Sequence, residues 1–292
     1  MTPAMIWIDG ELKPREQATV SVFDHGLLYG DGVFEGIRIY GRRVFRLDQH
    51  LDRLYDSAKA IALDIPLDRA AMVDALRTTI KANEKEDGYI RLIVTRGVGD
   101  LGVDPTKCPT PSIIIIVTDI QVYPPELYAR GVKVITSATR QVSHEAFDAR
   151  VKSLNYLKNV LAKIDANRAG AHEAILLNAE GFVGECTADN LFVVKQGRLF
   201  TPSPQDGALE GVTRGAILEL AGEARVEARE KRLTRYDVYT ADECFLTGTG
   251  AEVMPIAEVD GRKIGTTTPG PVTKRLLDAF HALVRREGDP IW

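Results

Sequence analysis

The sequence predicts an α+β fold with two domains and hairpin-rich mixed sheets. A chain of 292 residues, 45% apolar and 27% charged, can bury a large core and is more typical of two domains than of one. Hairpin patterns outnumber strand–helix–strand patterns, which favours antiparallel or mixed sheets over a doubly wound parallel sheet. The stretch QVYPPE, which has consecutive prolines and no periodicity, indicates a linker. We therefore expect a smaller N-terminal α/β domain at 1–120, a linker at 121–130 and a larger C-terminal domain at 131–292.

The N-terminal domain should open with a β-hairpin, because Asp9-Gly10 separates two β-prone runs and tolerates the positive φ angles of a two-residue turn. Leucines at helical spacing predict an amphipathic helix over 47–61, and the pattern repeats over 67–82. Further strands are predicted at 34–40, 43–45, 89–95 and 112–118. The last of these is so uniformly apolar that we expect it to be covered on both faces.

The C-terminal domain alternates short strands with helices. Strands are predicted at 132–138, 173–177, 182–185, 191–195, 198–201 and 244–247, and helices at 156–169, 214–224 and 272–286. In the helix over 156–169, Lys158 and Lys163 are assigned to a polar, solvent-facing side. The other side should be formed by its apolar residues, which are Leu157, Val160, Leu161 and Ile164.

Composition excludes several classes of function. The formal charge of −4 comes from well-mixed acidic and basic residues, with no basic block that could bind a row of phosphates, so nucleic acid is not expected as a partner. Cys108, Cys186 and Cys244 are too scattered for a disulfide framework or a metal centre, which favours the cytoplasm. The N-terminal stretch reaches Asp9 and Gly10 before any long apolar run, so we expect neither a signal peptide nor a membrane span.

Two ionisable residues are candidates for chemistry. Lys152 lies at the end of a β-prone run just before a helix. Burial would lower the pKa of such an amine and make it a usable nucleophile, although a lysine at a strand end more often reaches solvent. Glu185 ends a strand whose neighbours Phe182 and Val183 should be buried on opposite faces. A carboxylate there needs a cationic or proton-bearing partner unless it is exposed to water.

Two stretches are suited to an anion. In LEGVTRG, Gly211 precedes a helix whose first turn contains Val212 and Thr213, and the N–H groups of a first turn bind phosphate. In FLTGTGAE, a strand runs into a Gly-Thr-Gly stretch with small residues that allow close approach of a ligand. Thr213 could instead be a helix cap, and the second stretch a simple turn. Arg53 is a possible bidentate phosphate ligand, or a solvated helix arginine.

An amine nucleophile, a strand-end carboxylate and a phosphate-binding cup together match the needs of pyridoxal 5′-phosphate. The amine would hold the aldehyde, the carboxylate would keep the ring nitrogen protonated, and the cup would anchor the phosphate.

With these residues the chain resembles the class IV aminotransferases, fold type IV among pyridoxal-phosphate enzymes, and within them the branched-chain amino acid aminotransferases. The resemblance covers nearly the whole chain. Its motifs, in order, are IWIDGELKP, DHGLLYGDGVFEGIR, HLDRLYDSAK, YIRLIVTRGVGDLGV, VKSLNYLKNVLAK, GFVGECTADNLF, LEGVTRGAIL, ADECFLTGTGAEVMPI and GPVTKRLLDAF.

The resemblance implies a role for each candidate. Lys152 would be the Schiff-base lysine and the general base and acid, and Glu185 the partner of the pyridine nitrogen. Tyr156 would lie beside the ring oxygen of the cofactor. The phosphate would be held by Arg53, Val212, Thr213 and Thr249. Substrate would be bound by Tyr29, Phe34, Tyr89, Arg91, Gly250, Ala251 and, from a neighbouring subunit, Leu101 and Val103.

The implied activity is transfer of the amino group between leucine, isoleucine or valine and 2-oxoglutarate, with amino acids and 2-oxo acids as the partners and a homodimer as the smallest assembly. Tyr89 and Arg91 share one face of a strand and would receive substrate carboxylate, the arginine chiefly the distal one of glutamate. A D-amino acid or (R)-amine transaminase of the same fold is an alternative. An aminodeoxychorismate lyase fits the Tyr-x-Arg pair less well, and a non-enzymatic pyridoxal-phosphate carrier is a further alternative.

The sequence departs from the better-known bacterial branched-chain enzymes in two places. Ser153-Leu154-Asn155 follows Lys152 where those enzymes have a glycine pair. Around QVYPPELY the aromatic residues of an interdomain loop do not align, so Tyr123 and Tyr128 are not assigned to the site. Both departures bear on side-chain preference rather than on the cofactor.

Overall fold

The computed structural model of the protein describes residues 4–291. It divides into two compact units. The first comprises the chain up to Ile120, the segment Val151–Asn155 and the chain from Val284 on. The second comprises Gln121–Arg150 and Tyr156–Leu283. Both combine helices with sheets, so the predicted α+β class is confirmed.

The secondary structure is as follows. The strands are β1 (Met5–Ile8), β2 (Glu11–Pro14), β3 (Gly32–Tyr40), β4 (Arg43–Val44), β5 (Gly88–Thr95), β6 (Ser112–Thr118), β7 (Val132–Arg140), β8 (Glu173–Leu177), β9 (Val183–Cys186), β10 (Asn190–Lys195), β11 (Arg198–Thr201), β12 (Ala228–Glu230), β13 (Glu243–Gly248), β14 (Glu252–Val259), β15 (Arg262–Lys263) and β16 (Asp289–Pro290). The helices are α1 (His25–Tyr29), α2 (Leu47–Ala60), α3 (Arg69–Ala82), α4 (Pro125–Arg130), α5 (Leu157–Arg168), α6 (Val212–Glu223), α7 (Arg235–Tyr239) and α8 (Pro271–Arg286).

The first unit is built on an antiparallel sheet with strand order β16-β4-β3-β5-β6-β1-β2. One core cluster joins Val33 and Ile37 of β3 to Leu51 of α2 and to Leu76 of α3. Because successive side chains of a strand point to opposite faces, Phe34 lies on the other face of the sheet. This alternation separates the packed side of β3 from the side that carries the candidate substrate residues.

The second unit contains a mixed sheet with strand order β12-β11-β10-β13-β14-β7-β8-β9, and β15 pairs with β14. Strand β7 is parallel to both β14 and β8, and β11 is parallel to β12. The rings of Phe192 and Phe245 stack in the middle of the sheet with centroids 5.0 Å apart. The mixed sheet rich in hairpins matches the sequence prediction.

The buried side of α5 differs from the predicted one. Leu157 is 70% exposed and Val160 51% exposed, whereas Ala162 and Ala166 are completely buried. Together with Ala174 and Leu176 of β8, the two alanines form a small core cluster. Small side chains let the helix lie close to the sheet. The pattern Leu157-Val160-Leu161-Ile164 therefore did not predict the side of α5 that packs against the sheet.

The compact units differ from the expected domain ranges in three places. Val151–Asn155 belongs with the first unit because Ser153 forms a β-bridge with Val33. The chain from Val284 also belongs there because β16 pairs with β4. The stretch interpreted as a linker contains α4 and lies in the second unit. None of the helices in the described part of the chain combines the length and apolar character needed to cross a bilayer.

Candidate active site

The backbone of Lys152 is held between a strand and a helix of the first unit. The Phe34 N–H donates to the Lys152 carbonyl oxygen at 2.9 Å, and the Leu154 N–H donates to the Gly32 carbonyl oxygen at 2.9 Å. The Lys152 N–H donates to the Ser57 Oγ of α2 at 3.1 Å. These bonds fix the position of the Lys152 Cα. A reactive amine requires such a fixed starting point for its side chain.

The Lys152 side chain lies over the Phe34 ring, which also contacts a second predicted substrate residue, Arg91. Its Nζ is 4.8 Å from the centroid of the Phe34 ring, and the Arg91 guanidinium carbon is 4.5 Å from the same centroid. The Arg91 guanidinium carbon is also 5.6 Å from the Tyr89 ring centroid. Lys152 is half-buried rather than surrounded by water. Burial raises the pKa of the Tyr89 phenol, against the opposing effect of Arg91, so the phenol stays protonated and can donate a hydrogen bond.

The residues after Lys152 brace this segment. Asn155 Nδ2 donates to the Gly30 carbonyl oxygen at 3.0 Å, and the Asn155 N–H donates to the Ser153 Oγ at 3.2 Å. A Cβ at Gly30, which has φ +71, would lie 2.8 Å from the Asn155 Oδ1. Asn155 therefore ties the lysine segment to the end of α1, a contact that a glycine pair does not provide.

Arg53 on α2 is fixed by a buried carboxylate. Its Nε and Nη2 donate to the Glu35 Oε1 and Oε2 at 2.7 and 2.9 Å. Glu35 Oε2 is also 2.7 Å from the His50 Nδ1. Glu35 is completely buried and lies between Val33 and Ile37 on the apolar face of β3. Sequence analysis missed Glu35 and His50, although an acidic residue on the apolar face of a strand, facing a His-x-x-Arg helix, is a detectable signal.

Electrostatics make this cluster sensitive to acid. Burial alone would raise the pKa of Glu35, but the neighbouring Arg53 and His50 hold it well below its usual range. Burial lowers the pKa of His50 from its ordinary 6.5, and the attraction of Glu35 offsets this only in part. At neutral pH, therefore, an ionised Glu35 accepts bonds from Arg53 and from a neutral His50.

We expect the protein to lose stability on mild acidification because of His50. A lowered pKa means that the unfolded chain binds a proton first as pH falls below 6.5, so unfolding becomes easier. His50 can lower the free energy of unfolding by at most about 1.4 kcal/mol per pH unit. The lowered pKa of Glu35 also makes the folded state less stable in acid. Its contribution to the free energy of unfolding is lost as pH falls below the ordinary pKa of 4.5. Urea unfolding at about pH 7.5 and about pH 5.5 measures the difference.

His50→Asn supplies the control for this prediction. Asparagine can place an N–H donor near the position of the His50 Nδ1 and does not titrate in this range. The free energy of unfolding of this variant should therefore fall less between the two pH values than that of the wild type. Equal losses in both proteins would show that His50 does not titrate as inferred.

Tyr29 connects the end of α1 to the loop that carries Leu101 and Val103. The Gly102 N–H donates to the Tyr29 Oη at 2.7 Å. Leu101 and Val103 on either side are 72% and 81% exposed. Tyr29 thus holds the loop in place while two apolar side chains point to the outside of the chain.

In the second unit, the Glu185 carboxylate is largely buried and has polar partners. Its Oε1 accepts from the Gln141 Nε2 at 2.9 Å, and its Oε2 accepts from the Leu209 N–H at 2.9 Å. Lys158 Nζ lies 3.9 Å from Oε1. Burial lowers the pKa of the Lys158 amine, while Glu185 acts to raise it. The interpretation of Lys158 as a solvent-facing residue is therefore wrong, because α5 turns it toward a buried acid.

The N-terminus of α6 has the features of an anion site. Its N-cap is Gly211, and no side chain of the described residues caps the helix. Thr213 is inside the first turn and 4% exposed, so the alternative of a capping threonine is wrong. A Cβ at Gly211 would lie 2.1 Å from the Asn190 Oδ1, and Asn190 Nδ2 donates to the Leu209 carbonyl oxygen at 2.8 Å. Glycine is required here by close packing, and it leaves the first-turn N–H groups without a competing side chain.

The Gly-Thr-Gly stretch forms the turn between β13 and β14, whose register pairs Gly248 with Glu252. Thr249 and Gly250 are half-buried and Ala251 is buried. The backbone of this stretch is therefore a simple turn, which was one of the two interpretations of the sequence. It does not exclude ligand binding, since the same turn carries all three predicted residues.

Three tyrosines of the second unit have different environments. Tyr128 Oη donates to the Ala251 carbonyl oxygen at 3.1 Å, so it contacts a predicted substrate residue although sequence analysis left it unassigned. Tyr123 is 6% exposed and belongs to the core of the unit. Tyr156 is half-buried at the N-cap position of α5. Only packing distinguishes these residues, because all three are simply aromatic in the sequence.

The predicted residues fall into two groups. The first unit contains Tyr29, Phe34, Arg53, Tyr89, Arg91, Leu101, Val103 and Lys152, and the second contains Tyr156, Glu185, Val212, Thr213, Thr249, Gly250 and Ala251. Chemically, the first group offers an amine next to an aromatic ring, a guanidinium group and a phenol. The second offers a buried carboxylate and an uncapped helix N-terminus.

Comparison with known proteins identifies the family of this chain. The family model for amino-transferase class IV matches residues 32–259. A Methanocaldococcus jannaschii protein, provisionally named a branched-chain-amino-acid aminotransferase, is 49% identical over 287 residues, which cover 98% of this chain and 99% of that protein. The crystal structure of the Escherichia coli branched-chain amino acid aminotransferase superposes with a TM-score of 0.94 at 37% identity and covers 99% of this chain and 97% of that chain.

A further crystal structure is that of the branched-chain amino acid aminotransferase from Thermobaculum terrenum in its PLP-bound holo form. It superposes with a TM-score of 0.88 at 30% identity and covers 97% of this chain and 94% of that chain. The family match spans most of the chain, and the relatives align over nearly its full length. This chain belongs to the class IV aminotransferases.

Proposed function

We propose that this protein transfers the amino group between branched-chain L-amino acids and 2-oxoglutarate, in a ping-pong reaction with pyridoxal 5′-phosphate. One observation carries the proposal: the Lys152 amine and the Arg91 guanidinium group lie over the same Phe34 ring, 4.8 and 4.5 Å from its centroid. An amine and a carboxylate-binding cation that contact one aromatic ring suit a substrate that carries an α-amino acid group.

The residues present fit the cofactor. The uncapped N-terminus of α6 offers N–H groups for a phosphate. The Thr247 hydroxyl, next to the turn that begins at Gly248, is buried and has no hydrogen-bond partner among the described residues. The largely buried Glu185 is an acid suited to a protonated ring nitrogen. When bound, the cofactor supplies an aldehyde and an electron-withdrawing ring.

Each residue then has a defined task. Lys152 would hold the aldehyde when the cofactor is bound, and its amine would move a proton to and from the substrate Cα. Glu185 would keep a proton on the ring nitrogen, and Tyr156 would lie beside the ring oxygen. The phosphate would be held by Arg53, Val212, Thr213 and Thr249.

Substrate orientation is assigned to the Phe34 side of the first sheet. Arg91 and the protonated Tyr89 phenol bind carboxylate, and Phe34 provides an apolar surface for an aliphatic side chain. Tyr29, Gly250 and Ala251 complete the set of substrate-binding residues. A single pocket has to accept leucine and glutamate in turn, which explains a mixture of apolar and cationic groups.

A homodimer is the smallest assembly that we propose. The loop held by Tyr29 presents Leu101 and Val103 at 72% and 81% exposure. Two large apolar side chains on an anchored loop suit burial against a second copy of the chain.

A coupled assay tests the function. Purified protein with pyridoxal 5′-phosphate should form glutamate from 2-oxoglutarate when leucine, isoleucine or valine is the donor, and D-alanine or an aryl (R)-amine should support little transfer. No leucine-dependent glutamate formation would refute the proposal, and a clear preference for a D-amino acid or an (R)-amine would replace it with the alternative.

A further inference from the structure

We propose that Gly36 is a specificity-determining position, because its missing side chain provides the space that the Tyr89 ring occupies. This inference rests on the proposed function, in which Tyr89 and Arg91 bind substrate carboxylate. Nothing in the sequence motifs assigns Gly36 a role of its own, and it is not among the predicted site residues.

The packing across two strands supports this inference. In the antiparallel pair of β3 and β5, Gly36 lies opposite Arg91, and Arg38 lies opposite Tyr89. Alternation places Gly36 on the same face of β3 as Phe34 and Arg38. Tyr89 leans diagonally over the gap, since a Cβ at Gly36 would lie 2.1 Å from its Oη, 2.8 Å from its Cζ and 3.1 Å from its Cε2. The phenol therefore takes the place of the absent side chain.

The backbone conformation at Gly36 does not require glycine. Gly36 is in the middle of a regular strand and is absent from the glycines with positive φ. Glycine inside a strand normally weakens it, and it commonly marks a close approach by another group. Here the approaching group is the hydroxyl end of a rigid ring, so an added methyl group cannot be accommodated by a small rotation of a flexible chain end.

Displacing Tyr89 would also affect Arg91. The Arg91 guanidinium carbon is 5.6 Å from the Tyr89 ring centroid and 4.5 Å from the Phe34 ring centroid, so it lies near both rings. Moving the phenol away from Gly36 changes the position of one carboxylate-binding group and removes one of the two rings that pack against the other, Arg91. Gly36 therefore acts as a positioning residue that controls recognition of the dicarboxylate substrates.

Gly36→Ala tests the inference. We expect the KM for 2-oxoglutarate to rise about tenfold or more, with a smaller change in kcat, as for a misplaced substrate-binding group. Cofactor affinity, measured by absorbance titration, should stay within about twofold of the wild type. Gly222→Ala is the matched control, since a Cβ at Gly222 in α6 meets no atom within 4 Å. An unchanged KM in Gly36→Ala, or an equal rise in Gly222→Ala, would overturn the inference.

A double-mutant cycle with Tyr89→Ala separates positioning from a general defect in folding. Gly36→Ala should lower the urea midpoint in the wild-type background but not in the Tyr89→Ala background, where the ring is gone. Equal losses in both backgrounds would overturn the inference. The cycle does not depend on catalysis, so absence of amino transfer by the wild type would refute only the proposed function.

Discussion

Replacing Lys152 by alanine is expected to lower the rate of amino transfer by about 10⁴-fold or more. The variant lacks both the amine that binds the cofactor aldehyde and the group that moves the proton at the substrate Cα. The Phe34 ring, whose centroid is 4.8 Å from the Lys152 Nζ, is apolar and cannot take over either task. The measurement is a single half-reaction with leucine, followed by absorbance after addition of cofactor.

The fold of the Lys152→Ala variant should be intact. The backbone carbonyl oxygen of residue 152 accepts from the Phe34 N–H, and its backbone N–H donates to the Ser57 Oγ. Alanine keeps both bonds because neither involves the side chain. Lys59→Ala is the control, since Lys59 is exposed on α2 near Ser57 and has no proposed role. Borohydride reduction of the wild type with cofactor should label the peptide that contains Lys152. A rate close to that of the wild type in Lys152→Ala, or a label on another lysine, would contradict the assignment.

Replacing Glu185 by glutamine is expected to lower the rate of the half-reaction by about 10²–10³-fold while cofactor binding is retained. A neutral amide does not favour a protonated ring nitrogen, so the electron-withdrawing power of the ring is reduced. Glutamine has nearly the same shape, and its oxygen can still accept from the Leu209 N–H, which now bonds the Glu185 Oε2 at 2.9 Å. The loss should therefore appear in the chemical step rather than in folding.

Rapid-mixing measurement of the half-reaction distinguishes these effects. Glu180→Gln makes the same chemical change at a side chain that is 62% exposed, and it should leave the rate unaltered. If Glu185→Gln reacted at nearly the normal rate, Glu185 would have no role at the ring nitrogen. If it failed to bind cofactor, the residue would be structural.

Local patterns in the sequence predicted much of the fold. The strands at Ser112–Thr118, Glu173–Leu177 and Arg198–Thr201 have the predicted bounds, and α2 and α3 lie within two residues of their predicted limits. These elements follow from periodicity, which is a local property. Strands β12 and β16 were missed because each pairs with a strand that is distant in the chain. Strands β14 and β15 were also missed, although each forms a hairpin with a neighbouring strand.

For the candidate site, motif spacing identified residues but not their surroundings. Lys152, Arg53 and Glu185 could be selected from residue type and resemblance. Their partners could not, because Glu35 lies 18 residues from Arg53 in the chain and Gln141 lies 44 residues from Glu185. Hydrogen bonds between distant segments depend on how the strands and helices pack.

By itself, the sequence determined the fold class, the family and the identity of the chemically capable residues, because these depend on residue type and on short-range order. Only the tertiary structure decided that Glu35 and His50 fix Arg53, that Lys158 faces a buried acid, and that the Tyr89 ring fills the space above Gly36. The physical reason is that the burial of a charge and the fit of a ring depend on atoms brought together from separate parts of the chain.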